Sequence, residues 1–280
     1  MQYAQYIHDG HRGCAIHEDG VLYPTDWDLR DLMVLAAAGA NPRIEKNEKQ
    51  AVDVADVTLL APLARGSRII CAGINYLAHQ QESADTFSAN VPEDPIIFIK
   101  DQTAICGPED TLVLSEDVST NFDWEAELGV VIGATAQNIT RNDAWDVVAG
   151  YTVVNDISAR DIQTKHQQWT LGKNVDRSTP IGPWISTYEE VGPDPDLAMT
   201  LKVNGVEKQS TRTGDMIFDI PKLIETVSHI MTLYPGDIIA TGTPSGVGFK
   251  RTPPEFLHDG DKVTTIIKGI GQIENKVRTH

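Results

Sequence analysis

Short apolar runs rich in β-branched residues recur along most of the chain and predict a protein built mainly of strands. These runs lie at residues 69–73, 96–99, 128–132, 151–154 and 237–240. Between two further strand-like segments, Asn204-Gly205 is the strongest short hairpin signal in the chain. Helix-like segments are few, and the pattern therefore predicts mixed β-structure with interspersed helices, not a regular βαβ alternation. The main-body helices are predicted at residues 143–148, 159–168 and 221–234.

The first 65 residues have a pattern of their own. The turn dipeptides Asp9-Gly10 and Asp19-Gly20 separate short strand-like pieces, which predicts a β-meander. A helix capped by Asp28 or Asp31 should follow, run through residues 32–35, end at Gly39 and be stopped by Pro42. The polar segment 46–56 is expected to be a surface connection. We therefore expect a small domain over residues 1–65 and a larger one over residues 66–280.

Charge and cysteine content exclude several classes of protein. The chain has 23 basic and 40 acidic residues, a formal net charge of −17, and no Lys/Arg-rich stretch. Nucleic acid and anionic membrane surfaces are therefore not expected as partners. Three cysteines without CxxC spacing are neither a disulfide framework nor a zinc site. With no signal-peptide pattern at the start and no apolar stretch long enough to cross a bilayer, a cytoplasmic protein is expected.

Three carboxylates are the most informative chemical feature. Glu125 and Glu127 are two residues apart in a strand-like segment, so both project from the same face. Asp156 follows the apolar run that ends at residue 154, a common position for a ligand. Ligands that are all oxygen atoms suit Mg²⁺ or Mn²⁺ better than zinc. The alternative for the two glutamates is a strand with one solvated face.

A histidine and two lysines add possible acid–base and charge-balancing groups. His79 and Glu82 share a face of a short predicted helix, where the carboxylate could orient the imidazole as a general base. The alternative is an exposed pair without function. Lys100 and Lys173 could each balance a substrate carboxylate, or extend to solvent at the rim of a sheet.

The glycine-rich segment 240–248 follows a predicted strand. It lacks GxGxxG, and prolines stand where a dinucleotide-binding helix should run. The sequence around Ser245 is not GxSxG, which argues against a serine hydrolase. The segment is either a structural turn or a loop whose backbone N–H groups hold a carboxylate.

In combination, these segments resemble the fumarylacetoacetate hydrolase superfamily over about residues 66–280. The resemblance implies an α+β fold in which the main body is a mixed β-sandwich roll, with a small amino-terminal α/β domain. A homodimer is also implied. The matching segments, in chain order, are 73–76 with His79 and Glu82, 98–100, 124–131, 155–161, 172–173, 180–183, 216–218 and 241–248.

The resemblance also implies the roles of individual residues. Glu125, Glu127 and Asp156 would hold one Mg²⁺ or Mn²⁺ per chain, and His79 with Glu82 would sit on a lid and activate water. Lys173 would complete the catalytic set. The remaining matches imply substrate-binding roles for Tyr76, Lys100, Gln163, Gly242 and Thr243. One departure is Ile74, where some acylpyruvase relatives carry arginine.

The function that the resemblance implies is metal-dependent hydrolysis of a C–C bond in acylpyruvate-like 2,4-dioxo acids. A divalent cation would stabilise the pyruvate enolate that leaves. Three alternatives remain open: an oxaloacetate decarboxylase, an isomerase of unsaturated 2-oxo diacids in aromatic catabolism, and a metal-binding protein without turnover. Residues that recognise the far end of the substrate are expected at 83–94 and 251–258.

Overall fold

Strands dominate the computed structural model, which describes residues 1–39, 48–87, 90–166 and 168–280. The strands are β1 Gln2–His8, β2 His11–Glu18, β3 Val21–Thr25, β4 Val52–Asp53, β5 Thr58–Leu60, β6 Ile69–Gly73, β7 Ile96–Lys100, β8 Ile105–Cys106, β9 Leu112–Leu114, β10 Phe122–Asp123, β11 Ala126–Ile132, β12 Val148–Asn155, β13 Ser158–Ala159, β14 Thr179–Thr187, β15 Ala198–Val203, β16 Val206–Arg212, β17 Ile238–Ala240, β18 Lys262–Ile267 and β19 Gly271–Thr279.

Short helices lie between these strands. The α-helices are α1 Leu29–Ala37, α2 Leu77–Glu82, α3 Arg160–Lys165, α4 Thr170–Lys173, α5 Tyr188–Val191 and α6 Ile220–Ile230. Single 3₁₀ segments occupy Glu48–Gln50, Val54–Asp56, Gln102–Ala104, Arg141–Val147, Thr213–Asp215 and Gly248–Lys250. None of the described helices is long and apolar enough to cross a membrane.

The largest sheet joins the amino-terminal strands to the main body. Its order is β4-β3-β2-β1-β14-β12-β11-β17-β6-β7, with β5 beside β1 and β8 beside β14. β1 pairs with β14 through Gln2 opposite Ser186, so the meander continues the sheet of the main body. The division at residue 65 stays a prediction, because strands from both sides of it share one sheet.

A second sheet packs against the first and closes the main core. It has the order β16-β15-β18-β19-β9. Leu128 and Val130 of β11 lie in one apolar cluster with Leu201 of β15 and Val263 of β18. Two packed sheets with few helices confirm the predicted α+β class and its sandwich core.

Helix α1 covers the other face of the large sheet. Leu29, Leu32 and Met33 lie in a second apolar cluster that includes Val131 of β11 and Ile185 of β14. All seven residues of β11 are buried. The centre of the sheet is therefore shielded on both faces, and any charged group there must find partners inside the protein.

Local predictions agree with the structure where turn or cap chemistry decides them. Asn204 and Gly205 have φ of 51° and 78°, the positive values that a tight hairpin turn requires, and they join β15 to β16. The amino-terminal meander is present, and Asp28 caps α1 by accepting from the N–H of Asp31 at 2.9 Å. The predicted stop at Pro42 and the beginning of segment 46–56 lie outside the described residues.

Two of the three main-body helices are shorter than predicted, and the third is of a different type. α3 ends at Lys165, short of residue 168, and the segment predicted at 143–148 is a 3₁₀ helix. α6 ends at Ile230 because Met231 is extended, with φ of −140°. Apolar periodicity marks the buried faces of these helices but not the residue at which each ends.

Candidate active site

Three acidic side chains meet inside the large sheet. Glu125 immediately precedes β11 and Glu127 lies within it, so the two project from the same face. Asp156 follows β12, and its N–H donates to the carbonyl oxygen of Glu125 at 2.9 Å. One carboxylate oxygen from each residue lies within 4.8 Å of the other two, and all three residues are buried. The alternative of a strand with a solvated face is therefore wrong.

Two buried lysines contact these carboxylates. Lys173 Nζ lies 2.6 Å from Glu125 Oε2 and 2.8 Å from Asp156 Oδ2. Lys100 Nζ donates to Asp156 Oδ1 from the end of β7. Both ammonium groups are inside the protein, so neither lysine extends to solvent at the rim of the sheet.

Arg160 connects the carboxylates to the start of α3. Its Nε donates to Asp123 Oδ2 at 2.8 Å, and its Nη2 lies 2.6 Å from Glu125 Oε1. Its Nη1 donates to Gln163 Oε1 at 2.8 Å, and its guanidinium carbon lies 4.3 Å from the centre of the Phe249 ring. A planar guanidinium with this many partners is held in one orientation.

The charges around the carboxylates shift their pKa values in opposite directions. Burial raises the pKa of Glu125, but the neighbouring Lys173 and Arg160 outweigh burial and bring it down to about 2. Burial raises the pKa of Glu127 well above its usual value, and repulsion from Asp156 and Glu125 adds to that rise. Glu127 is thus the carboxylate whose charge the protein balances least.

A histidine–glutamate pair lies on α2. His79 Nδ1 is 2.8 Å from Glu82 Oε1, and the Glu82 carboxylate also accepts from the N–H of Gly246 at 3.0 Å. This arrangement fixes the imidazole and leaves Nε2 as its second nitrogen for proton transfer. His79 is buried, so the alternative of an exposed pair is wrong.

A narrow cleft brings these groups together. Its volume is about 20 Å³, enough for roughly one water molecule. The residues that line it are Ala72, Gly73, Ile74, His79, Phe87, Phe98, Glu125, Glu127, Arg160, Gln163, Trp169, Lys173 and Thr243. His79, two of the three carboxylates and Lys173 therefore share one small polar space.

Residues 68–278 match the fumarylacetoacetate (FAA) hydrolase C-terminal family. The chain belongs to this family. One relative is oxaloacetate tautomerase YisK of Bacillus subtilis, 44% identical over 80% of this chain and 74% of the relative. Another is the mitochondrial oxaloacetate tautomerase Fahd2a of Rattus norvegicus, 45% identical over 79% of this chain and 69% of the relative.

Solved structures of the fumarylacetoacetate hydrolase family match the whole chain. The 5-carboxymethyl-2-hydroxymuconate delta-isomerase from Mycobacterium smegmatis is 34% identical, with a TM-score of 0.83 over 100% of both chains. The fumarylacetoacetate hydrolase from Exiguobacterium antarcticum is also 34% identical, with a TM-score of 0.86 over 100% of both chains. The family resemblance is confirmed, and so is membership of an enzyme family. The names of these relatives span tautomerase, isomerase and hydrolase activities.

The chemistry of the three carboxylates fits a divalent cation. Glu127 accepts from the N–H of Gly242 at 2.8 Å, and no ion pair with lysine or arginine is recorded for it within the described ranges. A buried anion without a cation is costly. Oxygen donors of this kind suit Mg²⁺ or Mn²⁺. The group Glu125, Glu127 and Asp156 could therefore hold a divalent ion, whose identity stays a prediction.

The predicted substrate-binding residues divide into two groups. Gln163 and Thr243 line the cleft, whereas Lys100, Gly242 and Tyr76 are not among its lining residues. Tyr76 is packed into the main core. Gly242 has φ of +97°, and a Cβ there would lie 2.8 Å from the Cβ of Asn75, so only glycine lets this N–H approach Glu127. The substrate-binding roles of all five residues stay predictions.

Several residues that the structure brings to the site have no role predicted from the sequence. Arg160 stands four positions after Asp156 in a segment that carried the family resemblance, and this spacing is a signal that could have identified it. Asp123 accepts from Arg160 and from the N–H of Gly248 at 2.7 Å. The aromatic residues of the cleft wall, such as Trp169, come from separate segments and have no local signal.

Proposed function

We propose that this protein is a divalent-metal-dependent enzyme that interconverts tautomers of a small 2-oxo acid, with oxaloacetate as the first candidate substrate. The match to relatives named oxaloacetate tautomerases, at 44–45% identity over about four fifths of the chain, carries this proposal. Tautomerisation resembles the isomerase alternative of the sequence analysis, because both reactions only move a proton, but that alternative named unsaturated 2-oxo diacids as the substrates. Hydrolysis has support from the family and from a solved hydrolase structure at 34% identity, which is lower than the identity to the two tautomerases.

The metal ion would bind the substrate and stabilise its enolate, while the proton is moved by a side chain. A cation held by Glu125, Glu127 and Asp156 would bind the 2-oxo acid and stabilise the negative charge of its enolate. Lys173 and Arg160 stay paired with Glu125, which keeps that carboxylate ionised and oriented. The side chains around the site are thus arranged before the substrate enters.

Proton transfer is assigned to His79. Its Nε2 would remove a proton from the carbon next to the 2-oxo group, and the electrons of that C–H bond would form the C–C double bond of the enol. The π electrons of the 2-oxo group move onto its oxygen, which takes the proton back from the His79 imidazolium, so that the enol forms and the neutral imidazole is restored. Glu82 holds Nδ1 of the ring, so the imidazolium formed during transfer is stabilised by an adjacent carboxylate.

The test is a product analysis with oxaloacetate and Mg²⁺- or Mn²⁺-loaded protein. We expect faster enol–keto interconversion, followed by ultraviolet absorbance, with little pyruvate detected by a coupled lactate dehydrogenase assay. His79→Ala should lower kcat by about 10²–10⁴-fold, whereas His8→Ala, at a half-exposed position in β1, should not. Stoichiometric pyruvate and CO₂ would identify a decarboxylase instead, and cleavage of acetylpyruvate without tautomerase activity would identify a hydrolase.

A second candidate is isomerisation of longer unsaturated 2-oxo diacids. Two solved structures of mycobacterial proteins named as isomerases match 100% of this chain at 34% identity. The same His79–Glu82 pair could move a proton between carbons of such a substrate. Screening 2-hydroxyhepta-2,4-dienedioate in the same assay separates the two candidates.

The cellular location and assembly belong to the proposal as well. A cytoplasmic homodimer is expected from the sequence and from the family resemblance. Light scattering after size-exclusion chromatography measures the assembly directly.

A further inference from the structure

A second cavity lies directly beside the narrow cleft. Its volume is about 550 Å³, against about 20 Å³ for the cleft itself. Four side chains line both spaces and so form their common wall, namely Phe87, Phe98, Gln163 and Trp169. The cleft as described holds roughly one water molecule, so a substrate larger than that requires part of its wall to shift.

Trp169 is the part of this wall held by ring packing. Its ring centre lies 5.4 Å from that of Phe87 and 5.7 Å from that of Phe98, both edge-on. By contrast, the indole N–H of Trp184 donates to the carbonyl oxygen of Ile270 at 2.7 Å. No hydrogen bond of the Trp169 indole is recorded within the described segments. Displacing this ring therefore leaves no buried donor without a partner.

Gly73 makes the position of Trp169 possible. A Cβ built on Gly73 would lie 2.3 Å from Cζ3 of the Trp169 ring, far inside van der Waals contact. A methyl group at residue 73 would therefore push the ring away from β6. A substitution at Gly73 can therefore be used to displace the Trp169 ring without changing Trp169 itself.

The outer cavity suits an anionic group. Among its lining residues are Lys165 and His166 at the end of α3, with Gln163 at the common wall. No aspartate or glutamate is among the described lining residues, in a chain whose net charge is −17. A carboxylate entering here would meet hydrogen-bond donors and a cation without facing an acidic side chain.

We propose that Trp169 is a specificity-determining residue and that the outer cavity is the subsite for the far carboxylate of longer 2-oxo diacids. With the ring in place, the common wall shifts only far enough for a short 2-oxo acid. With the ring displaced, the two spaces join, and Lys165 can pair with a distant carboxylate. This inference rests on the proposed function, because it assumes that a 2-oxo acid binds beside Glu125 and Glu127.

The experiment is calorimetric titration of Mg²⁺-loaded protein with oxalate and with 2-oxoadipate, which needs no turnover. Trp169→Ala should tighten 2-oxoadipate binding at least tenfold and change oxalate binding less than threefold. Gly73→Ala should likewise increase the affinity for 2-oxoadipate relative to the affinity for oxalate. Adding Gly73→Ala to Trp169→Ala should change the ratio less than twofold, because there is no longer a ring to displace. Trp27→Ala, at an exposed position after β3, is the matched control and should change neither ligand.

Further outcomes test the role of Lys165 and distinguish failure of this inference from failure of the proposed function. Adding Lys165→Ala to Trp169→Ala should remove most of the gain for 2-oxoadipate. The proposal would be overturned if Trp169→Ala changed the affinity for both ligands equally. It would also be overturned if Gly73→Ala changed the ratio of the two affinities as much in the Trp169→Ala protein as in the wild type. If oxalate fails to bind the wild-type protein, the proposed function itself is wrong and this inference falls with it. If oxalate binds but oxaloacetate is not tautomerised, only the reaction has been misassigned.

Discussion

Replacing Glu127 with glutamine should stabilise the metal-free protein. Glu127 is buried, and its carboxylate lies within 4.8 Å of those of Glu125 and Asp156. Two unit charges at this distance repel by about 3 kcal/mol at an effective dielectric constant of about 20. Nearby Lys173 offsets part of this repulsion. We therefore expect Glu127→Gln to raise the free energy of unfolding by about 1–3 kcal/mol in metal-free buffer.

The pH dependence has a definite sign. The pKa of Glu127 is raised in the folded state, so the folded protein holds a proton that the unfolded chain releases above about pH 4.3. Wild-type stability should therefore fall, relative to the glutamine variant, by about 1.4 kcal/mol per pH unit. The loss begins at the unfolded pKa and stops once pH exceeds the folded pKa.

Urea denaturation in EDTA and in Mg²⁺, across a pH series, measures both effects. Wild-type protein should gain about 2.7 kcal/mol when Mg²⁺ is a hundredfold above its dissociation constant, and the variant should gain much less. Glu125→Gln is the matched control, and it should change the free energy of unfolding in the opposite direction. The pKa of Glu125 is about 2 because Lys173 and Arg160 outweigh burial, so its loss should destabilise the metal-free protein by about 3 kcal/mol. A Glu127→Gln protein that is less stable than wild type without metal at every pH would refute the reasoning.

Two other substitutions test the supports of the site. Asn75→Ala should lower the free energy of unfolding by about 3 kcal/mol. The side-chain amide of Asn75 donates to the carbonyl oxygens of Phe218 and Thr241 at 2.9 and 2.7 Å and accepts from the N–H of Phe218. A urea midpoint equal to that of the wild type would contradict this. Glu82→Gln should lower kcat about 10–100-fold with little change in KM, because a neutral amide stabilises the His79 imidazolium less than a carboxylate does; a rise in KM alone would indicate a role in binding instead.

The fold could be predicted where local chemistry decides it. The Asn204-Gly205 hairpin and the cap at Asp28 follow from residues that are neighbours in the chain. The pairing of Gln2 with Ser186 joins residues far apart in sequence, and neither strand carries a signal that names its partner. Continuity between the amino-terminal meander and the main sheet was therefore not predictable from a single sequence.

The same distinction applies to the site. Glu125 and Glu127 could be found because strand periodicity places them on one face, and Asp156 because it ends an apolar strand. Their mutual approach depends on the register that sets Ala126 opposite Asn155. The wall formed by Phe87, Phe98 and Trp169 needs three separate segments to converge, so no spacing along the chain predicts it.

The balance of buried charge at the site indicates the order in which ion and substrate bind. Each buried cation there is paired with a carboxylate, and the acidic groups exceed the basic groups by one. The acidic side chains are Asp123, Glu125, Glu127 and Asp156, and the basic side chains are Lys100, Arg160 and Lys173. Without a metal ion, the site has no net positive charge even when Glu127 is protonated, and the overall charge of −17 repels an anionic substrate. When a divalent cation is bound and all four carboxylates are ionised, the net charge of the site is positive by one unit, and this charge attracts the substrate carboxylate. The ion should therefore bind first, because only the loaded site attracts a 2-oxo acid.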